Sequence, residues 1–134
     1  MRPPSFAWIR DGTLLRYTFE EAGKWTRETT GLISSKRTQD SIPGTFESGL
    51  RSSVLPEWDE MVAGHMNIVG AAGVEFVALK VTPAGLPVRY IVAAYSQADT
   101  SRFPRLEACT LDGLLERIIE RIGTGPARAA EVDF

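Results

Sequence analysis

Two single residues are candidates for chemistry: the only histidine and the only cysteine of the chain. His65 could act as a general base or a metal ligand, and Cys109 precedes a predicted helix whose N-terminus would favour a reactive thiolate. Together they would suit nucleophilic catalysis. The alternative is structural, with His65 half-buried on a helix and Cys109 packed where sheet and helix meet. No metal site is predicted, because zinc usually takes about four His or Cys ligands.

Acidic residues could supply paired carboxylates, and the candidates are Glu20, Glu21, Glu57, Asp59, Glu60 and Glu75. Such pairs serve glycosidases and metal nucleases. Glu57 and Glu60 lie three positions apart on the polar side of a predicted helix, where a solvated surface is the ordinary explanation. Glu75 and Lys80 lie five positions apart on one predicted strand, so we expect them on opposite faces. No catalytic residue is assigned, and an enzyme that uses Cys109 or these acids is the third of three hypotheses.

No phosphate-binding loop is evident, and we expect no cofactor. The glycine-containing segment Gly70-Ala71-Ala72-Gly73 precedes a predicted strand, whereas a phosphate cradle needs a strand, a glycine loop and then a helix. Neither a dinucleotide fingerprint nor the elbow of a nucleophilic serine is present.

Aromatic side chains concentrate near the N-terminus, where they could form either a core or a recognition surface. Beside arginines they could stack on nucleic-acid bases, but the net charge of −2 argues against a nucleic-acid partner. Trp, Tyr and Arg are also common in protein interface hot spots. The candidate ligand or interface residues are Trp8, Tyr17, Trp25, Arg27, Trp58, Met61, His65 and Tyr90.

The first third of the chain predicts a β-meander that would position several of these candidates. Asp11-Gly12 suits a two-residue hairpin turn, which pairs Phe6 with Tyr17. A three-residue loop that ends at Gly23 then sets Tyr17 opposite Arg27. The third strand is expected to run from residue 24 to about residue 34, and a polar loop follows over residues 35–45.

The middle of the chain predicts helical structure. Phe46, Leu50 and Val54 could line one helical face, and Pro56 suits the first position of a further helix. Apolar or partly apolar residues repeat at helical spacing beyond Pro56. They are Trp58, Met61, Val62, His65 and Met66.

Two strands and a final helix are predicted in the last half. Residues 74–82 and 88–95 are rich in β-branched and aromatic residues. A four-residue loop would pair Leu79 with Tyr90, and a three-residue loop would shift that pairing. The helix is expected to begin near Thr110, with Asp112 at its positive end. Its apolar stripe consists of Leu111, Leu114, Leu115, Ile118, Ile119 and Ile122.

These elements predict an α+β domain over residues 1–122, with a flexible C-terminal tail over residues 123–134. The order β-β-β-α-β-β-α favours an antiparallel sheet of about five strands with helices packed on one face. This order resembles that of type III secretion chaperone-like domains, although these begin with a helix that is missing here. It resembles roadblock-like and profilin-like domains more loosely. A resemblance of element order implies architecture and no function.

The first functional hypothesis is a small soluble, non-catalytic regulatory or protein–protein interaction domain that acts as a homodimer. The alternative is a small-molecule sensor with a pocket between sheet and helices, lined by Trp58, Met61, Met66 and Tyr90. The N-terminus lacks the apolar run of a signal peptide, and no apolar stretch reaches the ~20 residues of a membrane span. We therefore expect a cytoplasmic protein whose partner is a protein or itself, with no membrane contact.

Overall fold

A computed structural model describes residues 3–21, 23–61, 64–70, 75–94, 106–108 and 110–122. Its strands are β1 (Ser5–Arg10), β2 (Thr13–Glu21), β3 (Lys24–Gly31), β4 (Arg37–Pro43), β5 (Gly64–Val69), β6 (Glu75–Val81), β7 (Arg89–Ala94) and β8 (Leu106–Ala108). They form one antiparallel sheet of eight strands in the order β4-β3-β2-β1-β5-β6-β7-β8. The α+β class is therefore compatible with the structure, whereas the expected count of about five strands and the expected element order are wrong.

Helical structure crosses the sheet in two places. The first helix covers residues 46–59 without a break, as α1 (Phe46–Gly49), a π-helical turn (Leu50–Val54) and α2 (Leu55–Asp59). The wide turn precedes Pro56, whose ring would clash with the carbonyl of Ser52 in a regular α-helix. Pro56 thus lies in the first turn of α2, as expected, but inside a continuous helix. The last helix is α3 (Leu111–Ile122).

The meander at the N-terminus confirms the predicted register. Phe6 lies opposite Tyr17, and Tyr17 lies opposite Arg27. The tight turn between β1 and β2 forms because both of its residues adopt the left-handed conformation, with φ of 50° at Asp11 and 73° at Gly12. Such turns match the twist of the flanking strands.

The segment predicted as the polar loop 35–45 contains strand β4, so that prediction was wrong. Strand β3 ends at Gly31, earlier than expected, and the chain returns along it, with Arg27 opposite Asp40 and Trp25 opposite Ile42. Nearly every β4 side chain is exposed, and Ile42 alone is partly buried. A strand that is solvated on both faces has no apolar alternation to reveal it.

The helix predicted through His65 and Met66 ends at Asp59, and both residues lie in strand β5. In this strand His65 and Asn67 are exposed while Met66 and Ile68 are buried. This alternation is the two-residue period of a half-buried strand. Helical assignment beyond α2 was therefore wrong.

The hairpin of β6 and β7 differs by one residue from the pairing that a four-residue loop would give. Leu79 lies opposite Ile91, and Tyr90 lies opposite Lys80. The shift turns Lys80 and Tyr90 towards the same face of the sheet. This face carries the helices.

One core fills the space between the sheet and both helices, which confirms packing on a single face. Inward side chains of the strands and of both helices belong to one buried cluster. Its members include Phe6, Trp8, Tyr17, Phe19, Trp25, Phe46, Leu50, Val54, Leu55, Trp58, Met66, Ile68, Phe76, Ala78, Tyr90, Val92, Leu114, Leu115 and Ile118.

The last helix begins as its sequence predicts. The hydroxyl of Thr110 accepts a hydrogen bond from the backbone N–H of Gly113 at 3.0 Å, and Asp112 lies in the first turn. Leu114, Leu115 and Ile118 are buried, as the apolar stripe requires. The predicted tail over residues 123–134 lies outside the described residues, as does Cys109.

Candidate functional site

The three tryptophans singled out as interface candidates are core residues. Trp8, Trp25 and Trp58 each expose 2% of their surface or less. Trp8 stacks on Tyr17 with ring centroids 5.5 Å apart, and the indole N–H of Trp25 donates to the carbonyl of Thr45 at 2.9 Å. These side chains hold the helix on the sheet and are not available for recognition.

The Trp25 ring lies so close to the helix that only glycine fits opposite it. A Cβ atom on Gly49 would lie 1.9 Å from the indole nitrogen of Trp25. The carbonyl of Thr45 accepts from both that indole and the N–H of Gly49, at 2.9 Å each. The start of the helix is thereby fixed against β3.

Tyr17 and Arg27 belong to an ionic cluster that fastens the end of the helix, and we call Tyr17, Arg27, Asp40 and Glu57 the Tyr17 anchor. The hydroxyl of Tyr17 donates to the carboxylate of Glu57. The guanidinium of Arg27 lies 3.2 Å from Glu57 and 3.0 Å from Asp40. The anchor thus joins β2, β3 and β4 to α2.

Met61 and Tyr90 belong to a second cluster on the other side of the same helix end, and we call Asp59, Met61, Lys80 and Tyr90 the Lys80 anchor. The Tyr90 hydroxyl donates to Asp59 at 2.7 Å. The ammonium of Lys80 lies 3.3 Å from the Asp59 carboxylate and donates to the carbonyl of Met61 at 2.6 Å. It also donates to the backbone carbonyl of Asp59. A cation suits this place, because helix C-termini leave carbonyls unpaired and carry partial negative charge.

Both anchors favour the protonated form of their tyrosine. Burial, followed by the hydrogen bond to Glu57, raises the pKa of Tyr17 far above its ordinary value. Burial and the hydrogen bond to Asp59 raise the pKa of Tyr90 to about 12. Each phenol therefore remains a hydrogen-bond donor at neutral pH, which is a structural role.

The acidic candidates Glu57 and Glu60 face one surface cleft of about 460 Å³ beside the Tyr17 anchor. Both carboxylates have cationic partners there, because Arg10 lies 3.1 Å from Glu60 and Arg27 lies 3.2 Å from Glu57. Glu75 and Lys80 lie on opposite faces of β6, as their spacing predicts. Among the described residues, no group of three or more His, Cys, Asp or Glu side chains is arranged to hold a metal ion.

His65 is exposed on the face of β5 that lies away from the helices. Its backbone pairs with Leu79 of β6. Both anchors lie on the opposite face of the sheet. Among the described residues, the structure therefore does not bring His65 together with the other candidate site residues. The proposed partner Cys109 lies outside the described residues.

Two adjacent exposed aliphatic residues escaped the sequence reasoning, and we call Leu32 and Ile33 the apolar tip. These side chains expose 51% and 96% of their surface. The N–H of Leu32 donates to the carbonyl of Gly12 at 2.9 Å, which joins the β3–β4 turn to the β1–β2 turn. Two adjacent aliphatic residues in a polar turn are the signal that could have revealed this surface.

Strand β4 is an open edge of the sheet next to the apolar tip. Hydrogen bonds from Gly44 to Gly23 and from Gly31 to Lys36 show that the even-numbered residues of this strand face β3. Backbone groups alternate in direction along an antiparallel strand. The N–H and C=O groups of Arg37, Gln39 and Ser41 therefore point away from the sheet. Within the part of the chain that the structure describes, no strand lies beyond β4.

No protein-family model, curated protein or solved structure matches this chain. No helix within the described ranges is long and apolar enough to cross a membrane. The function must therefore be inferred from the surfaces of the molecule itself.

Proposed function

We propose that this chain is a non-catalytic regulatory or protein–protein interaction domain that forms a homodimer through the apolar tip and the β4 edge. The observation that carries the proposal is Ile33, which exposes 96% of its surface next to β4, a strand with no outer neighbour among the residues that the structure describes. A fully exposed aliphatic side chain gains roughly 1.5–3 kcal/mol on burial. An open strand edge supplies directional hydrogen bonds to the same partner.

The acidic and phenolic groups near the helix end support a non-catalytic role. Glu57, Asp59 and Glu60 each pair with a cation, and Tyr17 and Tyr90 donate to two of these carboxylates. Groups that are committed to such contacts serve stability. The enzyme hypothesis therefore gains no support from this region.

The sensor hypothesis remains a prediction and gains no specific support. It requires a pocket lined by Trp58, Met61, Met66 and Tyr90. Trp58 and Met66 are fully buried in the core, and the Tyr90 hydroxyl is bound to Asp59. A non-covalent adduct in the native mass spectrum would revive this hypothesis.

The proposal is tested by native mass spectrometry and sedimentation equilibrium over a range of protein concentrations. We expect a dimer without an adduct, and Ile33→Asp should weaken it by roughly tenfold or more because it places a charge in the interface. Leu86→Asp is the matched control, since Leu86 is 63% exposed but lies in the turn between β6 and β7. A chain that stays monomeric up to its solubility limit contradicts the proposal.

A further inference from the structure

We propose that the partner on β4 is a second copy of this chain, joined by antiparallel β4–β4 pairing across a two-fold axis at Gln39. The two sheets would then continue edge to edge. This inference rests on the proposed function and specifies the site and register of the dimer. It follows from the direction of the backbone groups along the edge.

Within the described parts of the chain, the edge donors that have no backbone partner form a short, bounded set. The outward N–H groups belong to Arg37, Gln39 and Ser41. The set ends on one side at Ser35, whose N–H already donates to the carbonyl of Gly31 at 2.9 Å. It ends on the other side at Pro43, which has no N–H. The remaining donors are therefore symmetric about Gln39.

This symmetry selects one register for a second copy. A two-fold axis perpendicular to the sheet at Gln39 pairs this residue with itself and pairs Arg37 with Ser41 of the other copy. All free donors of both copies then find backbone acceptors. An axis at Thr38 would set Ser41 opposite Ser35, which lies outside β4 and has a left-handed conformation. An axis at Asp40 would set Arg37 opposite Pro43, which can accept a hydrogen bond but cannot return one. The axis at Asp40 would also place two aspartates directly opposite each other, which is destabilising.

The charged side chains of the edge do not oppose this pairing, because each is neutralised within its own sheet. Arg37 is bound by the carboxylate of Glu28, and Asp40 lies 3.0 Å from the guanidinium of Arg27. Burial alone would raise the pKa of Glu28, but hydrogen bonds from Arg37 and Gln39 outweigh it and lower the pKa below its ordinary value. Charges on an edge strand normally prevent edge-to-edge association. Here the charges are paired towards β3, and the outer edge presents neutral backbone.

Cysteine scanning in a Cys109→Ser background tests the register. Gln39→Cys should cross-link to a covalent dimer under mild oxidation, because opposed Cα atoms in a hydrogen-bonded antiparallel pair lie about 5.5 Å apart. Ser41→Cys alone should not, because its two copies would lie four positions apart, about 13 Å. A mixture of Arg37→Cys and Ser41→Cys chains should cross-link only between the two variants. Cross-linking of Ser41→Cys alone, or none at Gln39→Cys, overturns the register.

A proline scan tests whether the edge itself is used. Gln39→Pro removes an outward N–H but no backbone bond to β3, and the side-chain bond to Glu28 that it also removes is lost equally in Gln39→Ala. The fold should therefore persist, and the dimer should weaken by roughly tenfold or more. Gln39→Ala keeps the N–H and should dimerise like the parent chain. If Gln39→Pro dimerises as tightly as the parent chain, edge pairing is overturned, and only a homodimer through the apolar tip remains. A parent chain that is monomeric overturns both. Should Gln39→Pro fail to fold, as judged by circular dichroism, the cysteine series decides.

Discussion

The Tyr17 anchor and the Lys80 anchor hold the same helix end with the same chemistry, but they differ in exposure. In both, a tyrosine hydroxyl donates to a carboxylate of α2, and a cation from the sheet pairs with that carboxylate. The side chain of Arg27 is 34% exposed, whereas that of Lys80 is only 12% exposed. Water and salt therefore weaken the first pair more than the second.

The cations of the two anchors also have different tasks. Arg27 bridges two carboxylates, one on α2 and one on β4, and so connects three parts of the fold. Lys80 binds one carboxylate and two backbone carbonyls at the end of the helix. A planar guanidinium suits the bridge, and a compact ammonium suits the helix end. One helix end is thus fastened to both halves of the sheet, by a largely buried cation on one side and by a more exposed cation on the other.

Removal of the two cations should give the largest difference between the anchors. Lys80→Met should lower the free energy of unfolding by about 2–3 kcal/mol, because Asp59 and two carbonyls lose a charged donor. Arg27→Met should cost about 1 kcal/mol, since its carboxylates remain accessible to water. Urea unfolding followed by tryptophan fluorescence measures both values. Equal losses would show that exposure does not distinguish the anchors.

The two anchor tyrosines should make the free energy of unfolding depend on pH in the alkaline range. The ordinary tyrosine pKa of 10.0 applies to the unfolded chain, and the folded state raises the pKa of Tyr90 to about 12. Above pH 10 the unfolded state therefore loses its proton first, and stability falls as the pH rises towards 12. Below pH 10 the contribution is complete. The limiting slope is about 1.4 kcal/mol per pH unit for each such tyrosine.

The variants Tyr90→Phe and Tyr17→Phe test this pH dependence. Each lacks one ionisable phenol, so each should lose stability less steeply than the parent chain between pH 10 and 12. The measurement is the free energy of unfolding at a series of pH values. Tyr17→Phe should retain the contribution of Tyr90, because the two hydroxyls bind different carboxylates. Slopes identical to that of the parent chain would contradict the structural role of both phenols.

Local sequence patterns predicted the parts of the fold that local physics determines. Asp11-Gly12 fixed the first hairpin, since its turn type demands left-handed residues, and Thr110 marked the start of α3. Strand β4 has no apolar alternation and could not be found this way. The residues around His65 and Met66 fit a helical period and a strand period equally well over so short a stretch. Only the pairing of β5 with its neighbours decides between them.

The anchors show why the candidate site was only half predictable. Tyr17 was selected as part of an aromatic cluster and Tyr90 as a possible pocket residue, but both instead hold the end of the helix. Their carboxylate partners lie 40 and 31 positions away in the chain. No local pattern links residues at such separations. The β4 edge was missed for another reason, because backbone groups leave no trace in residue types.

The smallest expected effect concerns Asp40, which is the most exposed member of the Tyr17 anchor with 54% of its side chain accessible. Asp40→Asn should lower the free energy of unfolding by about 0.5 kcal/mol in dilute buffer. The loss should vanish near 1 M NaCl, where charges are screened beyond about 3 Å. The loss caused by Lys80→Met should persist at that salt concentration, because this ammonium is largely shielded from solvent. A salt-independent loss in Asp40→Asn would mean that hydrogen-bond geometry, and not charge, makes Asp40 stabilising. The Tyr17 anchor would then hold the helix end as firmly as the Lys80 anchor does.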